Sequence, residues 1–314
     1  MNKILYIVVP CYNEEAVLPE SSRRILAKLR ELINAKKISP SSRILFCNDG
    51  SRDKTWEIIK KLHRDNKEIS GLKLSRNRGH QNVLLAGLMT ARIKADVVIS
   101  MDADLQDDVN AVDAMLAKYR EGYDIVYGVR SSRKKDSFFK RNTALAFYKL
   151  MRLMGVDSVY NHADYRLTSK RVLDAFADFR EVNLFLRGLF PLVGFKSTTV
   201  EYVRAERFAG ESKYPLKKML AFAIDGITSL SVKPLRLIAA SGFVISIISI
   251  LAAIYLLIMK ILGATGQGLT FIAISIWLIG GIQMLSLGVV GEYIGKIYNE
   301  TKARPRYIIE EILG

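Results

Sequence analysis

Cysteine and tryptophan are scarce in this chain of 314 residues, which has two of each. The two cysteines, Cys11 and Cys47, are too few for a disulfide framework and fit a reducing compartment, so we expect both to be small buried residues. No G-x-x-x-x-G-K-[ST] sequence occurs, and no G-x-G-x-x-G occurs before residue 237. A P-loop nucleotidase and a dinucleotide-dependent oxidoreductase are therefore disfavoured. Residues 1–10 are typical of a strand and too short for a signal peptide, so we expect none.

Charged residues are absent from two long apolar stretches, residues 237–259 and 269–290. As helices they would extend about 33 Å at roughly 1.5 Å per residue, which is enough to cross a hydrocarbon core of about 30 Å. Two helices buried in a soluble core are the alternative, but such a core rarely requires apolar residues all round a helix. Basic residues crowd the outer flanks of the two stretches. The positive-inside rule then places both termini and the preceding domain in the cytoplasm.

The part of the chain before residue 237 is basic, since it contains 42 of the 47 Lys and Arg residues against 27 of the 31 Asp and Glu residues. Such a surface suits anionic lipid headgroups or phosphorylated substrates. Nucleic acid is disfavoured as a partner because no recognition module is visible. Residues 215–232 carry an apolar stripe with charged residues off it. This pattern predicts an amphipathic helix in the membrane interface, directly ahead of the first span.

Strand-like and helix-like patterns alternate through the first 130 residues, which predicts a doubly wound, mostly parallel α/β sheet. The predicted strands cover residues 4–9, 43–47, 72–74, 97–101 and 125–127. The predicted helices cover residues 21–33, 55–64, 81–93 and 109–119. Polar segments at 10–15, 48–51, 75–80 and 102–107 follow the first four strands. Because ligands bind beyond the carboxyl ends of such strands, we expect these segments to converge on one crevice.

Asp102 and Asp104 flank one small residue at the end of a predicted strand, so both carboxylates can reach one site. Mg²⁺ and Mn²⁺ take oxygen ligands from one or two carboxylates together with substrate phosphates. Gln106 continues the same spacing and offers a carbonyl oxygen. Acids after a strand are alternatively helix caps, a role that we expect of Asp107 and Asp108. We predict a metal site at Asp102, Asp104 and Gln106.

Four segments resemble family-2 glycosyltransferases, namely residues 9–15 (VPCYNEE), 48–51 (NDGS), 102–107 (DADLQD) and 207–214 (RFAGESKY). The resemblance extends from residue 4 to residue 294 and points to the dolichol-phosphate mannosyltransferase-like branch, specifically to bacterial bactoprenol (undecaprenyl-phosphate) glycosyltransferases. It implies a GT-A fold, which is a Rossmann-like α/β domain, followed by amphipathic juxtamembrane helices and two transmembrane helices. We expect a catalytic domain at 1–214, a juxtamembrane helix at 215–236, two spans at 237–293 and a cytoplasmic tail at 294–314.

The resemblance also implies roles for individual residues. A UDP-sugar would be held by Pro10, Tyr12, Glu14, Asp49, Asp102, Arg207 and Lys213. A Mg²⁺ or Mn²⁺ ion would be held by Asp102, Asp104 and Gln106. The lipid phosphate would be held by Arg130 and Arg141. Asp164 matches the acid proposed in the family as catalytic base, with pairing to Arg166 or another neighbouring cation as the alternative.

These roles imply an enzyme that transfers a hexose, glucose or N-acetylglucosamine, from a UDP-sugar to undecaprenyl phosphate with inversion. It would act at the bacterial plasma membrane, in contact with anionic lipids, as a homo-oligomer for which the resemblance suggests a tetramer. Two alternatives stay open. A processive polysaccharide synthase would carry a Q-x-x-R-W motif, to which neither Trp56 nor Trp277 belongs. A non-catalytic scaffold would bind nucleotide sugar without releasing UDP.

Overall fold

The computed structural model describes residues 2–131, 149–155, 162–205, 224–262 and 268–314. Its centre is an eight-stranded sheet with the strand order β7-β5-β6-β4-β1-β2-β3-β8. The strands are β1 (Leu5–Cys11), β2 (Arg43–Asn48), β3 (Ile69–Leu74), β4 (Val97–Ser100), β5 (Ile125–Arg130), β6 (His162–Ser169), β7 (Ser197–Tyr202) and β8 (Ile309–Leu313).

Parallel pairing dominates the sheet and confirms the predicted topology. β1 pairs in parallel with β2 and β4, β2 with β3, and β5 with β7. Every residue of β1 and β4 is buried. This explains why both strands are continuous apolar runs, since a central parallel strand is covered on both faces. β6 lies antiparallel between β4 and β5, and it was not among the predicted strands.

In the part of the chain that the structure describes, six helices cover the two faces of the sheet. They are α1 (Leu18–Asn34), α2 (Thr55–Asp65), α3 (His80–Ala91), α4 (Ala111–Arg120), α5 (Lys170–Phe176) and α6 (Leu186–Leu192). α1, α2 and α4 pack on one face, where Leu29 and Val112 are fully buried. α3, α5 and α6 pack on the other, with Leu84 and Leu189 in its core. The four helices predicted between the first five strands are confirmed, and Cys11 and Cys47 are buried free thiols as expected.

Two long helices, α7 (Lys233–Ile261) and α8 (Leu269–Lys302), follow the sheet domain. By length and composition both could cross a membrane, with candidate spans at Lys233–Ala252 and Leu278–Lys302. Their apolar side chains face outwards, as the exposed fractions of Phe243 (69%) and Leu285 (72%) show. A core helix would hide such side chains, so this exposure disagrees with the alternative of two helices buried in a soluble core.

After α8 the chain returns to the sheet as β8, which pairs antiparallel with β3. Glu311 accepts a hydrogen bond from Trp56 Nε1 (3.1 Å) and pairs with Lys60 (3.0 Å). Glu310 pairs with Lys73, 237 residues earlier in the chain, at 2.9 Å. We expected residues 294–314 to be a tail and did not predict this strand, because its pairing partners are so distant in sequence.

Candidate active site

The polar segments after β1 and β2 lie side by side at the carboxyl ends of the strands. The backbone N–H of Asn13 donates to Ser51 Oγ (3.0 Å), and Asn13 Oδ1 accepts from the backbone N–H of Arg52 (2.9 Å). Asn13 has a φ of 55°, a left-handed conformation in which Asn is enriched. These reciprocal bonds fix the two segments to each other, so that they form one wall of a crevice.

Three predicted nucleotide ligands belong to the first of these segments. Pro10 is buried at the end of β1, Glu14 is half-buried, and Tyr12 exposes 42% of its surface. An exposed aromatic ring at the mouth of a crevice suits contact with a nucleobase. The structure brings these residues together, and their contact with a nucleotide stays a prediction.

Asp49, a fourth predicted nucleotide ligand, contacts the protein's own backbone. Its carboxylate accepts hydrogen bonds from the backbone N–H groups of Arg78 (2.7 Å) and Gly79 (2.9 Å). Burial raises the pKa of Asp49, and these two bonds oppose the rise. At Gly50, where φ is +61°, a Cβ atom would lie 2.6 Å from the carbonyl carbon of Arg76. The segments after β2 and β3 are therefore packed closely, and Asp49 holds them together.

The predicted metal ligands lie directly after β4. Asp104 Oδ1 accepts from the backbone N–H of Gln106 (3.2 Å), and Leu105 between them has a left-handed φ of 59°. The side-chain oxygen of Gln106 accepts a hydrogen bond from Arg204. Desolvation raises the pKa of Asp102, and the nearby charge of Asp104 adds to the rise. The two aspartates therefore face the same part of the crevice, whereas Gln106 is engaged with Arg204.

We expected Asp107 to cap a helix, and the structure shows that it does not. Its Oδ1 atom accepts a hydrogen bond from the hydroxyl of Tyr202 (2.5 Å), and its buried Oδ2 atom has no hydrogen-bond partner in the described structure. Desolvation and the charge of Asp102 raise the pKa of Asp107 to about 6. Asp108 accepts from the backbone N–H of Asn110, the residue before α4, at 2.9 Å. Asp108 thus closes the turn into the helix, while Asp107 belongs to the crevice.

Asp102, Asp104 and Asp107 offer carboxylate oxygens to a divalent cation but do not by themselves form a site for one. Mutual repulsion and desolvation raise the pKa of two of these carboxyl groups, and one buried carboxylate oxygen is orphaned. A hard cation would neutralise this charge through oxygen ligands, which Mg²⁺ and Mn²⁺ prefer. Among the described residues, no group of three or more His, Cys, Asp or Glu side chains is placed to hold a metal ion. Substrate phosphate oxygens would have to complete the coordination.

Asp164 reaches the same crevice from β6. Because β6 runs antiparallel to β4, it begins at the edge where β4 ends. Arg187 binds Asp164 with two hydrogen bonds, Nε to Oδ1 (3.2 Å) and Nη2 to Oδ2 (3.0 Å). His80 Nε2 lies 3.4 Å from Asp164 Oδ2 and 3.9 Å from Asp102 Oδ1. Arg166 Nη2 lies 3.6 Å from Asp164 Oδ1. Asp164 therefore pairs with neighbouring cations, with Arg187 as the bidentate partner, and its role in catalysis stays a prediction.

The charges around Asp164 decide its protonation. Desolvation raises its pKa, but Arg187 and His80 outweigh this and hold the pKa well below the ordinary range. For His80, desolvation lowers the pKa, and the hydrogen bond to Asp164 with the charge of Asp102 raises it to about 9. At neutral pH the carboxylate is ionised and the imidazole is protonated. In this arrangement Asp164 is a poor proton acceptor and a strong orienting charge.

Neither Arg187 nor His80 was among the predicted site residues. Arg187 carries the single charge in the apolar run 182–193. A charged residue in such a run usually has a partner, because burying an unpaired charge is costly. That signal was available in the sequence, but it does not identify the partner, which lies 23 residues earlier.

A second group of cations lies beside Gln106 and Asp107. Arg130 ends β5, opposite Tyr202 of β7. Desolvation and the positive charge of Arg130 lower the pKa of Arg204, so the two guanidinium groups are neighbours. Adjacent guanidinium groups suit a phosphate. Three further predicted ligands lie outside the described residues, namely Arg141, Arg207 and Lys213.

Comparison with known proteins assigns this crevice to a family. The family described as "Glycosyl transferase family 2" matches residues 6–176, from the second residue of β1 to the end of α5, and this range includes Asp102, Asp104, Asp107 and Asp164. The chain belongs to this family. A relative from Bacillus subtilis (strain 168), the uncharacterized glycosyltransferase YkoT, is 52% identical over 98% of this chain and 91% of its own. The prophage bactoprenol glucosyl transferase homolog of Escherichia coli (strain K12) is 38% identical over 98% of both chains.

Solved structures agree with the family at the level of the fold. Mannosyl-3-phosphoglycerate synthase from Rubrobacter xylanophilus superimposes with a TM-score of 0.50 at 14% identity, covering 74% of both chains. Glucosyl-3-phosphoglycerate synthase from Mycobacterium tuberculosis, solved with Mn²⁺ and UDP, has a TM-score of 0.44 at 17% identity and covers 73% of this chain and 77% of its own. The GT-A fold implied by the sequence resemblance is confirmed.

Proposed function

We propose that this glycosyltransferase moves a hexose from a UDP-sugar to undecaprenyl phosphate, with inversion, at the cytoplasmic face of the bacterial plasma membrane. The observation that carries the proposal is the crevice lined by Asp102, Asp104 and Asp164, in a chain whose long apolar helices are exposed. Relatives named bactoprenol glucosyl transferase support a polyprenyl-phosphate acceptor, because the similarity covers nearly the whole of both chains. Glucose and N-acetylglucosamine are the favoured sugars.

On the donor side, Pro10, Tyr12, Glu14 and Asp49 would line the nucleoside pocket. Asp102 and Asp104 would hold Mg²⁺ or Mn²⁺, joined by Gln106 if it leaves Arg204. When bound, such an ion neutralises the diphosphate leaving group. The pKa values of Asp102 and Asp107 are raised by desolvation and then by neighbouring carboxylates, and a bound cation would oppose both effects.

On the acceptor side, the nucleophile is a phosphate oxygen. A phosphate monoester has its second pKa near 6, so it is largely dianionic at cytoplasmic pH and needs little deprotonation. Asp164, whose pKa is held low, would orient the acceptor or stabilise positive charge developing on the sugar. Arg130 and Arg204 would hold the phosphate together with Arg141, whereas Arg207 and Lys213 would bind the UDP-sugar. A single displacement at the anomeric carbon would invert its configuration.

The exposed helices support a membrane location. The 29 residues of α7 extend about 44 Å at roughly 1.5 Å per residue. β8 requires the C-terminus to lie on the same side as the sheet domain, which agrees with two spans. We therefore propose that the sheet domain and both termini face the cytoplasm, where anionic lipids attract the basic flanks. We also propose that the protein forms a homo-oligomer, in the form of a tetramer.

The test is to incubate the purified protein with undecaprenyl phosphate, Mg²⁺ or Mn²⁺ and a panel of labelled nucleotide sugars. We expect one labelled hexose in the lipid fraction, with release of one UDP per lipid product and loss of both on adding a chelator. A polymeric product would instead indicate a processive synthase. Binding of the nucleotide sugar without UDP release, with every donor and lipid phosphate, would indicate a scaffold.

A further inference from the structure

The C-terminal end of α8 binds the segment that precedes α6. The carboxylate of Glu300 accepts hydrogen bonds from the backbone N–H groups of Val182 (2.8 Å) and Asn183 (2.8 Å). The side-chain amide of Asn183 also donates to Glu300 Oε1 (2.6 Å) and to the carbonyl of Lys296 (3.2 Å). Hydrogen bonds to an ionised acceptor are among the stronger ones in proteins. One carboxylate therefore fixes this segment to α8.

The same segment leads directly into the crevice. The backbone N–H of Leu186 donates to Gln81 Oε1 (2.7 Å), and Gln81 follows His80 in α3. The next residue, Arg187, makes the bidentate pair with Asp164. Only three residues of the chain lie between Asn183, which Glu300 holds, and Arg187.

Close packing prevents α6 from adjusting independently of its neighbours. A Cβ atom at Gly188 would lie 2.1 Å from Leu230 Cδ1, so α6 touches the helical residues 224–230 without space for a methyl group. Those residues are in turn bound to α8, because Lys296 pairs with Asp225 (3.2 Å) and the hydroxyl of Tyr293 donates to the carbonyl of Ser231 (2.6 Å). The first turn of α6 and the end of α8 therefore behave as one packed unit.

We propose that Glu300 is a positioning residue for the transfer reaction. Through Val182 and Asn183 it sets the start of α6, and thereby aims the guanidinium of Arg187 at Asp164. The proposal rests on the function proposed above. It makes α8 part of the machinery that orients the acceptor, in addition to being a membrane helix. A misplacement of about 1 Å in a reacting group can lower a rate by about 100-fold, so a contact outside the crevice is able to control turnover.

The test compares Glu300→Gln with Glu292→Gln, a change at an exposed glutamate of the same helix. We expect Glu300→Gln to lower kcat for transfer to undecaprenyl phosphate at least tenfold, while the KM for the nucleotide sugar stays within twofold. We expect Glu292→Gln to match the wild type. A matching kcat in both variants, or a parallel loss of nucleotide-sugar affinity in Glu300→Gln, would overturn the positioning role.

A double-mutant cycle with Arg187→Met separates positioning from general stability. If Glu300 acts through Arg187, the double variant should be no slower than Arg187→Met alone, within twofold. Losses that multiply would show that Glu300 acts by another route.

Hydrogen exchange provides a readout that does not depend on lipid transfer. In Glu300→Gln the amides of residues 182–187 should exchange at least tenfold faster, while those of β2 stay protected; unchanged exchange would disprove the docking contact. If the wild type transferred no sugar to lipid, the proposed function would fail. The exchange data, and the same cycle run on hydrolysis of the nucleotide sugar, would still decide the role of Glu300.

Discussion

Replacing Arg187 with methionine tests the charge network around Asp164. The change keeps a long side chain but removes both hydrogen bonds to a carboxylate whose side chain is 14% exposed. Removing one partner of a fully buried pair costs about 3–5 kcal/mol. Arg187 is 31% exposed, and His80 and Arg166 remain near Asp164. We therefore expect the free energy of unfolding to fall by about 1–3 kcal/mol at pH 7.

The pH dependence of this loss has a definite sign. The folded-state pKa of Asp164 is lowered, so the ionised pair stabilises the fold above the ordinary Asp pKa of about 3.9. The contribution disappears as the pH falls through the lowered pKa of the folded state. The difference between wild type and Arg187→Met should therefore be constant from about pH 6 to 8 and shrink below about pH 4.

Urea unfolding in detergent, followed by the fluorescence of Trp56 in a Trp277→Phe background, measures this difference. Arg23→Met is the matched control, because Arg23 pairs with Glu20 on an exposed surface and should give no measurable change. Equal stability of the two variants at pH 7 would refute the reasoning. So would a difference for Arg187→Met that persists undiminished at strongly acidic pH.

Three further changes test the donor site, the acceptor side and the crevice wall. Asp104→Ala should lower metal-dependent turnover at least 100-fold; unchanged metal dependence in a metal titration would place the ion elsewhere. Asp164→Asn should lower kcat at least tenfold with no recovery as the pH rises from 6 to 9, because the carboxylate orients charge; rescue at high pH would indicate a base, and full activity would remove Asp164 from the mechanism. Gly50→Ala should destabilise the fold by about 2–4 kcal/mol through a backbone clash and a left-handed φ. Gly122 also has a left-handed φ, but a Cβ atom there would have no neighbour within 4 Å, so Gly122→Ala should lower the free energy of unfolding by only about 1 kcal/mol. Thermal melts of both variants measure the two losses.

Local sequence patterns were sufficient for the part of the fold built from consecutive elements. The apolar runs of β1, β2 and β4 are buried on both faces, so each was visible without knowledge of its neighbours. The parallel order then placed Asp102 and Asp104 at the carboxyl edge. The same patterns could not give β6 or β8, whose register is set by partners that lie far away in the chain.

The part of the site that the sequence did not reveal depends on those long-range pairings. Asp164 reaches the crevice because β6 is antiparallel, and only then does Arg187 acquire a partner. Asp49 illustrates a different limit. Its motif predicts a nucleotide ligand, and that stays a prediction; the motif did not indicate that the buried carboxylate also holds the backbone at Arg78 and Gly79.

The balance of charge in the crevice favours a phosphate acceptor over a sugar hydroxyl. A dianion approaching Asp102, Asp104 and Asp164 would be repelled unless cations stood nearby. Arg187 and the protonated His80 neutralise Asp164, and a metal ion would neutralise the other two acids. Desolvation and the positive charge of Arg130 lower the pKa of Arg204, and a bound phosphate would oppose both effects. A neutral hydroxyl acceptor would not be attracted by this pair of arginines. It would also need a base to remove its proton, and Asp164 is a poor base because its pKa is held low.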